Sequence, residues 1–369
     1  MPTPASIPSL FIGLMSGTSL DGVDAALVDF GASRPQLLAT AYLPYPPHLV
    51  PLLLALHAAR SGELDCAATV ANQLAQLYAT TVVTLLQQSG YPASAIAAIG
   101  NHGQTIRHCP EAGYTLQIGN NALLAELTGI DVIGDFRSRD IAAGGQGAPL
   151  VPAFHQAVFG SPASNRIILN IGGIANISYL PVAGQVFGFD TGPGNLLLDA
   201  WIREHQGQAY DRDGAWASSG QPIPALLTAL LSEPYCEQAP PKSTGRDLFN
   251  LAWLQQRLSP EWAAVDIQAT LLAFTSHSIA QAIRRFCPAG NEILVCGGGA
   301  RNTALMQDLK MQLPDIPVGT TSQLGIDPDW VEAAAFAWLA YRFVNRQPGN
   351  LAAVTGACGP RVLGALYPR

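Results

Sequence analysis

Two stretches of this chain open in the same way, and that repetition limits the available folds more than any other feature. Leu10 to Leu14 reads as an apolar strand, Met15 to Gly22 as a tight polar loop, and Val23 to Asp29 as the returning strand of a hairpin. Arg166 to Ile171, Gly172-Gly173 and Ala175 to Tyr179 repeat the pattern, and a further strand from Gln185 to Asp190 follows. Two halves that each begin with a glycine-bearing hairpin imply a duplicated fold. Around them the period of the apolar residues predicts strands at Leu37 to Leu43, Ala95 to Ile99, Thr115 to Ile118, Asp131 to Ile133, Ile293 to Cys296 and Arg361 to Tyr367. It predicts helices at Asp65 to Gln88, 121–128, Leu196 to Arg203, Ile267 to Phe286 and Trp330 to Phe343.

Composition narrows the class. Hydrophobic residues make up 49% of the 369 and charged residues 12%, about half the usual charged share of roughly 25%. That suits a compact enzyme with ample material for a core. A formal charge of -7 argues against nonspecific nucleic-acid binding, which needs a basic footprint. The six cysteines are scattered without CxxC pairs, so neither a disulfide framework nor a structural zinc site is indicated. Met1 to Leu10 lacks the basic and apolar regions of a secretory signal, and no apolar run approaches the roughly 20 residues that span a bilayer. A cytoplasmic protein with no membrane partner is the expectation.

Charge is scarce, so polar clusters at strand ends stand out. In the first hairpin Gly17 and Gly22 allow left-handed backbone, and Thr18 and Ser19 bring hydroxyls. Together these suit a phosphate cradle, with Asp21 placed to hold Mg2+ directly or through water. The other reading is an ordinary hairpin turn. Asn101-His102-Gly103-Gln104-Thr105 follows a buried strand, where His102 is either a ligand contact or a turn histidine. Four ionisable residues stand between Asp135 and Asp140, and they either pair with one another or present the Arg137 guanidinium to a carboxylate. The glycines from Gly144 to Gly147 read as a flexible joint near a change of domain.

In the second half Asp190 ends a strand. Gly192, Pro193 and Gly194 cannot continue it, and Asn195 can cap the next helix. Asp190 is then either a functional carboxylate in a ligand-lined corner or a turn residue satisfying local N–H groups. Ser232 to Asp247 reads as a long loop in which Lys242 and Arg246 touch phosphate or, more simply, stay solvated. Gly297-Gly298-Gly299 lies between a strand and a helix, open to a nucleotide or to close packing. Glu332 is the only acid on an apolar helix, suited to the helix dipole or to a ligand.

MSGTSLDGVD at 15–24, NHGQT at 101–105, GDFRSRDIAAGGQGAPLVP at 134–152, NIGGIANIS at 170–178, FDTGPGN at 189–195 and CGGGARN at 296–302 together resemble the anhydro-N-acetylmuramic acid kinase family. The resemblance covers nearly the whole chain and implies the superfamily of sugar kinases, actin and heat-shock ATPases. The implied fold is α/β, with two related actin-like or ribonuclease-H-like domains of mixed sheets flanked by helices and the nucleotide in the interdomain cleft. Expected boundaries are 1–140 and 141–349, with 350–369 a candidate to pack back on the first domain.

The resemblance further implies ATP and Mg2+, with a small sugar as substrate. Gly17, Thr18, Ser19, Leu20, Asp21, Gly22, Val23 and Asp24 then hold the phosphates and the metal, with Asp21 as metal ligand. Gly172 and Gly173 form a second phosphate hairpin, and Gly297, Gly298 and Gly299 a nucleoside wall. His102, Gln104, Asp135, Arg137 and Glu332 become sugar contacts, and Asp190 the general base. The expected reaction opens 1,6-anhydro-N-acetylmuramic acid with water and phosphorylates its 6-oxygen, giving N-acetylmuramic acid 6-phosphate and ADP in cell-wall recycling. The competing readings are a kinase for an ordinary hexose and a nucleotide-switched scaffold. No nucleic-acid or membrane partner is expected, and a homodimer is left open.

Overall fold

In the computed structural model, residues 9–17, 19–32 and 34–369 are described. Two compact units emerge, Met1–Val158 with Trp330–Arg369, and Phe159–Asp329. The first unit supplies β1 (Leu10–Met15), β2 (Gly22–Asp29), β3 (Gln36–Pro44), β4 (Ala98–Asn101), β5 (Gln104–Cys109), β6 (Tyr114–Ile118) and β7 (Val132–Gly134). The second supplies β8 (Arg166–Ile171), β9 (Ile174–Leu180), β10 (Phe187–Pro193), β11 (Glu292–Cys296) and β12 (Val318–Thr320), after which β13 (Ala365–Tyr367) returns to the first.

The sheet orders are β13-β7-β4-β1-β2-β3 and β10-β9-β8-β11-β12. In both, three antiparallel strands are followed by two parallel ones: β4 lies parallel to β1 and β7, and β11 parallel to β8 and β12. This is the duplication that the hairpins imply. Central β1, LFIGLM, is buried along its length, whereas edge strand β3 keeps exposed positions, as expected for strands covered on two faces and on one. Helix Glu63–Ser89 lays Val70, Leu74, Tyr78, Val82 and Leu85 on the first core. Helix Ala264–Phe286 lays Ile267, Leu271, Phe274 and Ile283 on the second.

The unit boundaries differ from 140 and 349 for two physical reasons. Helix Val331–Val344 belongs with the first sheet because it seats its backbone against two strand glycines. A Cβ on Gly13 would lie 1.8 Å from the carbonyl oxygen of Ala333, and one on Gly100 would lie 2.0 Å from that of Phe336. Alanines 333, 334, 335, 337 and 340 are all at most 1% exposed, so the helix carries small side chains where it meets the sheet. Secondly, the buried Asp140 carboxylate accepts from the Gly147 N–H at 2.8 Å, the Asn350 amide at 2.6 Å and the Thr355 hydroxyl at 2.8 Å. These bonds keep the segment after residue 140 with the first unit. They also make the expected flexible joint a pinned loop, where Gln146 N–H further donates to the Thr355 carbonyl.

Three local expectations change. Strand β10 continues through Gly192 and Pro193, with a register shift between Asp190 and Gly192; β10 is a sheet edge, where proline costs no ladder bond. Asn195 makes no side-chain cap, because its amide donates to the Ile171 carbonyl instead. In the first hairpin the left-handed residue among those described is Leu20, at φ 59, rather than Gly17 or Gly22. Gly22 answers to packing: a Cβ there would lie 2.5 Å from the Leu43 carbonyl oxygen.

Gly13→Ala or Gly100→Ala should push helix Val331–Val344 off its seat and destabilise the first unit by about 1–3 kcal/mol or more. A denaturant melt monitored by hydrogen exchange of β1 and β4 checks this, and an unchanged midpoint for both variants would show that the helix yields without cost.

Candidate active site

In the first unit two loops at neighbouring strand ends are tied together by a buried polar network. The Ser16 hydroxyl bonds with the Tyr78 hydroxyl at 2.8 Å and donates to the Gly103 carbonyl at 3.0 Å. The Gln104 amide donates to the Gly17 carbonyl at 3.0 Å and accepts from the Tyr45 hydroxyl at 2.7 Å. Gln104 is fully enclosed, so the structure gives its amide to the loop. Burial pushes Tyr45 up to about 12, so the phenol stays a donor at working pH. Thr18 lies outside the described residues. Ser19 donates to Asp21 Oδ1 at 2.8 Å, and the exposed Asp21 has no ion pair among the described residues. Leu20 and Val23 are buried in the core, while Asp24 is half-buried on β2.

His102 joins this network to the charge cluster. Its Nδ1 meets the Ser16 carbonyl at 3.2 Å, and its Nε2 meets Arg137 Nη2 at 2.9 Å and Nε at 3.3 Å. Those partners set the tautomer: Nδ1–H donates and Nε2 accepts. The ring packs on Phe336, with centroids 4.6 Å apart. Burial, followed by the Arg137 charge, lowers His102 to about 3, so it is neutral. Arg137 also donates from Nη1 to the Gly147 carbonyl at 2.8 Å. Burial lowers it to about 10, opposed by Glu332 and Asp140, and it stays cationic. Among the described residues three of the five guanidinium N–H groups are thus engaged and two remain.

Glu332, in the first turn of helix Val331–Val344, accepts no hydrogen bond among the described residues. Burial raises its pKa, with Arg137 opposing and Asp21 adding to the rise. Asp135 is exposed at φ 55 and accepts from Ser138 at 2.5 Å. His102, Asp135, Ser138, Asn121, Gln117 and Tyr367 line a recess of about 260 Å³, below the roughly 300–1,000 Å³ of a whole small-molecule site and suited to part of one. Among the described residues no ion pair forms within the Asp135–Asp140 cluster; Arg137 takes the histidine and a carbonyl, and Asp140 takes neutral donors.

In the second unit the Gly172 and Gly173 carbonyls accept from Asn195, Gly194 and Leu196 N–H at 2.8–3.0 Å, so the β8–β9 turn and the start of helix Leu196–Gln206 form one rigid corner. A Cβ on Gly172 would meet nothing nearer than 3.7 Å, on Gly173 nothing nearer than 4.0 Å and on Gly298 nothing nearer than 3.9 Å. None of the three has positive φ, so neither packing nor backbone conformation demands glycine there. Gly297 and Gly299 differ, since a Cβ on either would lie 2.3 Å from Asn170 or Ile171.

Asp190 is held on three sides. Its N–H donates to the Lys242 carbonyl at 3.2 Å, its carbonyl accepts from the Tyr235 hydroxyl at 2.8 Å, and Oδ2 accepts from Thr244 N–H at 3.0 Å. Oδ1 accepts no bond among the described residues. Burial raises the carboxyl to about 6, opposed by the Thr244 N–H and by Lys242. Sequence reasoning missed Asp140, Tyr235 and Thr244 as parts of these constellations. Only the turn signals around Lys242-Ser243-Thr244-Gly245 hinted at the last.

A family profile described as anhydro-N-acetylmuramic acid kinase matches residues 9–369. The anhydro-N-acetylmuramic acid kinase of Nitrosospira multiformis is 56% identical over 97% of this chain and 98% of its own length. That of Chromobacterium violaceum is 57% identical over 98% and 99%. Among solved structures, (R)-2-hydroxyglutaryl-CoA dehydratase component A of Acidaminococcus fermentans superposes with a TM-score of 0.50 at 13% identity, covering 90% of this chain and 98% of that one. That likeness bears on fold alone, and with the duplicated sheet order it gives the α/β, actin-like architecture that the sequence implies. With a match from residue 9 to residue 369 and relatives above half identity along nearly their whole length, this chain belongs to the anhydro-N-acetylmuramic acid kinase family of phosphotransferases.

Proposed function

We propose that the chain opens the 1,6-anhydro bridge of anhydro-N-acetylmuramic acid with water and transfers the γ-phosphoryl group of ATP to the freed 6-oxygen, giving N-acetylmuramic acid 6-phosphate and ADP. The observation that carries this is Asp190, an acid held by main-chain and tyrosine partners with Oδ1 left open. A carboxyl titrating at about 6 is ionised at neutral pH yet basic enough to take a proton from water. Oδ1 takes that proton as the water attacks the anomeric carbon. The bridging C–O bond breaks, its electron pair stays on the 6-oxygen, and that oxygen attacks the γ-phosphorus and expels ADP. We place the reaction in the cytoplasm, in the recycling of cell-wall sugar.

In this reading Arg137 offers its two remaining N–H groups to the lactyl carboxylate, and His102, being neutral, orients the guanidinium. Glu332, short of hydrogen bonds, takes sugar hydroxyls, and Asp135 faces the sugar from the recess. Gln104 keeps the Gly17 carbonyl in place. Gly172, Gly173 and Gly298 leave room for nucleotide to approach the backbone. Asp21, an exposed carboxylate bonded among the described residues only to Ser19, suits Mg2+, which is commonly held by one or two carboxylates with water and phosphate completing the set. When bound, the ion supplies neutralisation of charge on the transferring group.

Asp190→Asn keeps the size of the side chain and its acceptor for Thr244 but removes the base. kcat should fall about 10²- to 10⁴-fold with little change in KM. In the wild type, kcat should fall tenfold per pH unit below about pH 6, because only the ionised carboxylate acts and its pKa is raised to about 6. Incorporation of ¹⁸O from solvent at the anomeric carbon, followed alongside ADP release, checks both. A variant that loses ring opening while still phosphorylating sugar would move the base elsewhere.

Arg137→Ala should weaken sugar binding by about 10- to 150-fold, the worth of roughly 1.5–3 kcal/mol for a charge-assisted contact, with ATP binding nearly unchanged. Calorimetry on variant confirmed as folded by its melting curve decides this. Gly298→Ala should do the reverse, leaving the melting temperature unchanged because its Cβ makes only an ordinary van der Waals contact, 3.9 Å from the Asn195 amide nitrogen, while raising the KM for ATP. Unchanged ATP kinetics would take Gly298 out of the nucleotide site.

A further inference from the structure

Lys242 does not behave as a solvated loop cation. Its ammonium turns inward, donating to the carbonyls of Tyr235 at 3.0 Å and Cys236 at 3.3 Å. It lies 4.6 Å from the centroid of the Tyr235 ring, 5.9 Å from that of Phe189 and 6.0 Å from that of Phe286. A lysine normally keeps its strongly hydrated head in water and buries only its stem. Here the head is spent on two main-chain carbonyls and an aromatic face, so a defined local geometry must depend on it.

That geometry surrounds Asp190. The Tyr235 hydroxyl donates to the Asp190 carbonyl, the Lys242 carbonyl accepts the Asp190 N–H, and the Thr244 N–H reaches the carboxylate. Tyr235 and Lys242 are the two ends of the segment that the ammonium closes on itself, and Thr244 follows two residues beyond it. We propose that Lys242 is a positioning residue for Asp190: its ammonium clamps the Tyr235 and Cys236 carbonyls, holds the tyrosine hydroxyl and the Thr244 amide in place, and turns a positive charge toward the carboxylate. The proposal rests on the reading of Asp190 as the general base.

The groups that face this centre are few. Lys242 is the one cation acting on Asp190 among the described residues, and Arg285 acts in turn on Lys242. Burial pushes the Tyr235 phenol upward and the Cys236 thiol up to about 11, so both stay neutral where the enzyme works. Burial raises Asp190, while the Thr244 N–H and the Lys242 charge hold it down. Removing the ammonium takes away its charge and frees the Thr244 N–H, and both move the acid limb of activity to higher pH; a residue that braced the loop without acting on the carboxylate would lower activity at every pH alike.

The test compares kcat–pH profiles of wild type, Lys242→Met, Lys242→Arg and Asp190→Asn, with ATP and anhydrosugar as substrates. Lys242→Met should shift the acid limb upward by about half a unit or more, with less than a twofold change in the KM for ATP, and Lys242→Arg should restore the wild-type limb. An unmoved limb in Lys242→Met, or a tenfold rise in the KM for ATP without a shift, overturns the proposal, the latter by making Lys242 a phosphate contact. Asp190→Asn separates the two readings. If it is inactive while the limb of Lys242→Met stays put, only the role of Lys242 fails; if it keeps wild-type kcat, the base assignment fails and this inference with it. Should Lys242→Met not fold, Tyr235→Phe removes the hydroxyl on Asp190 and leaves the ring under the ammonium. It should lower kcat by about 2- to 12-fold at unchanged KM, and an unchanged kcat there also overturns the proposal.

Discussion

The close seating of helix Val331–Val344 on Gly13 and Gly100 is the contact on which the first unit depends. Those glycines lie in β1 and β4, the strands whose ends carry Ser16-Gly17 and His102-Gly103-Gln104. Backbone-to-backbone approach fixes the depth of the helix in a way that side chains, which can change rotamer, cannot. With the depth set, Phe336 meets the His102 ring and Glu332 comes within electrostatic reach of Arg137. The positions of the histidine, the guanidinium and the lone acid therefore follow from two missing methyl groups.

Each unit then keeps its polar chemistry in order by hydrogen bonds to neutral groups more than by ion pairs. Arg137 rests on a neutral imidazole and a carbonyl, Asp140 on an N–H, an amide and a hydroxyl, and Asp190 on an N–H with a lysine nearby. Partners of this kind fix direction without cancelling charge. A guanidinium or carboxylate so held can still meet a charged or reacting ligand at nearly full strength, which a salt bridge to a neighbour would prevent.

Much of this was legible in the chain. The hairpins, the two long helices and the strand before Gly297 follow from apolar runs bounded by glycine and proline, and the six motifs mark the residues that now cluster at strand ends. What escaped has physical reasons. Asp140 finds Asn350 and Thr355 at separations of 210 and 215 positions, and no local pattern announces such partners. Lys242 looks solvated because a cation between prolines and serine usually is; only the carbonyls of Tyr235 and Cys236 reveal otherwise. Asn195 resembles a cap in every local respect, yet the turn carbonyls of Gly172 and Gly173 engage the first N–H groups of the helix, and its side chain turns to Ile171. The domain edges differ because helix Val331–Val344 is apolar on nearly every side, and such a pattern does not say which sheet it covers.

The return of the chain to its first sheet also sets an order of assembly. The second unit is continuous in sequence, so every partner it needs is present once Asp329 has been synthesised. The first unit is not: its sheet lacks β13, and its two glycines lie uncovered, until the segment after Trp330 has left the ribosome. Domains fold as units during synthesis, and transiently exposed apolar strands are what chaperones bind. The half of the molecule made first is thus the half completed last, and until then its β1–β4 face is uncovered apolar surface of the aggregation-prone kind.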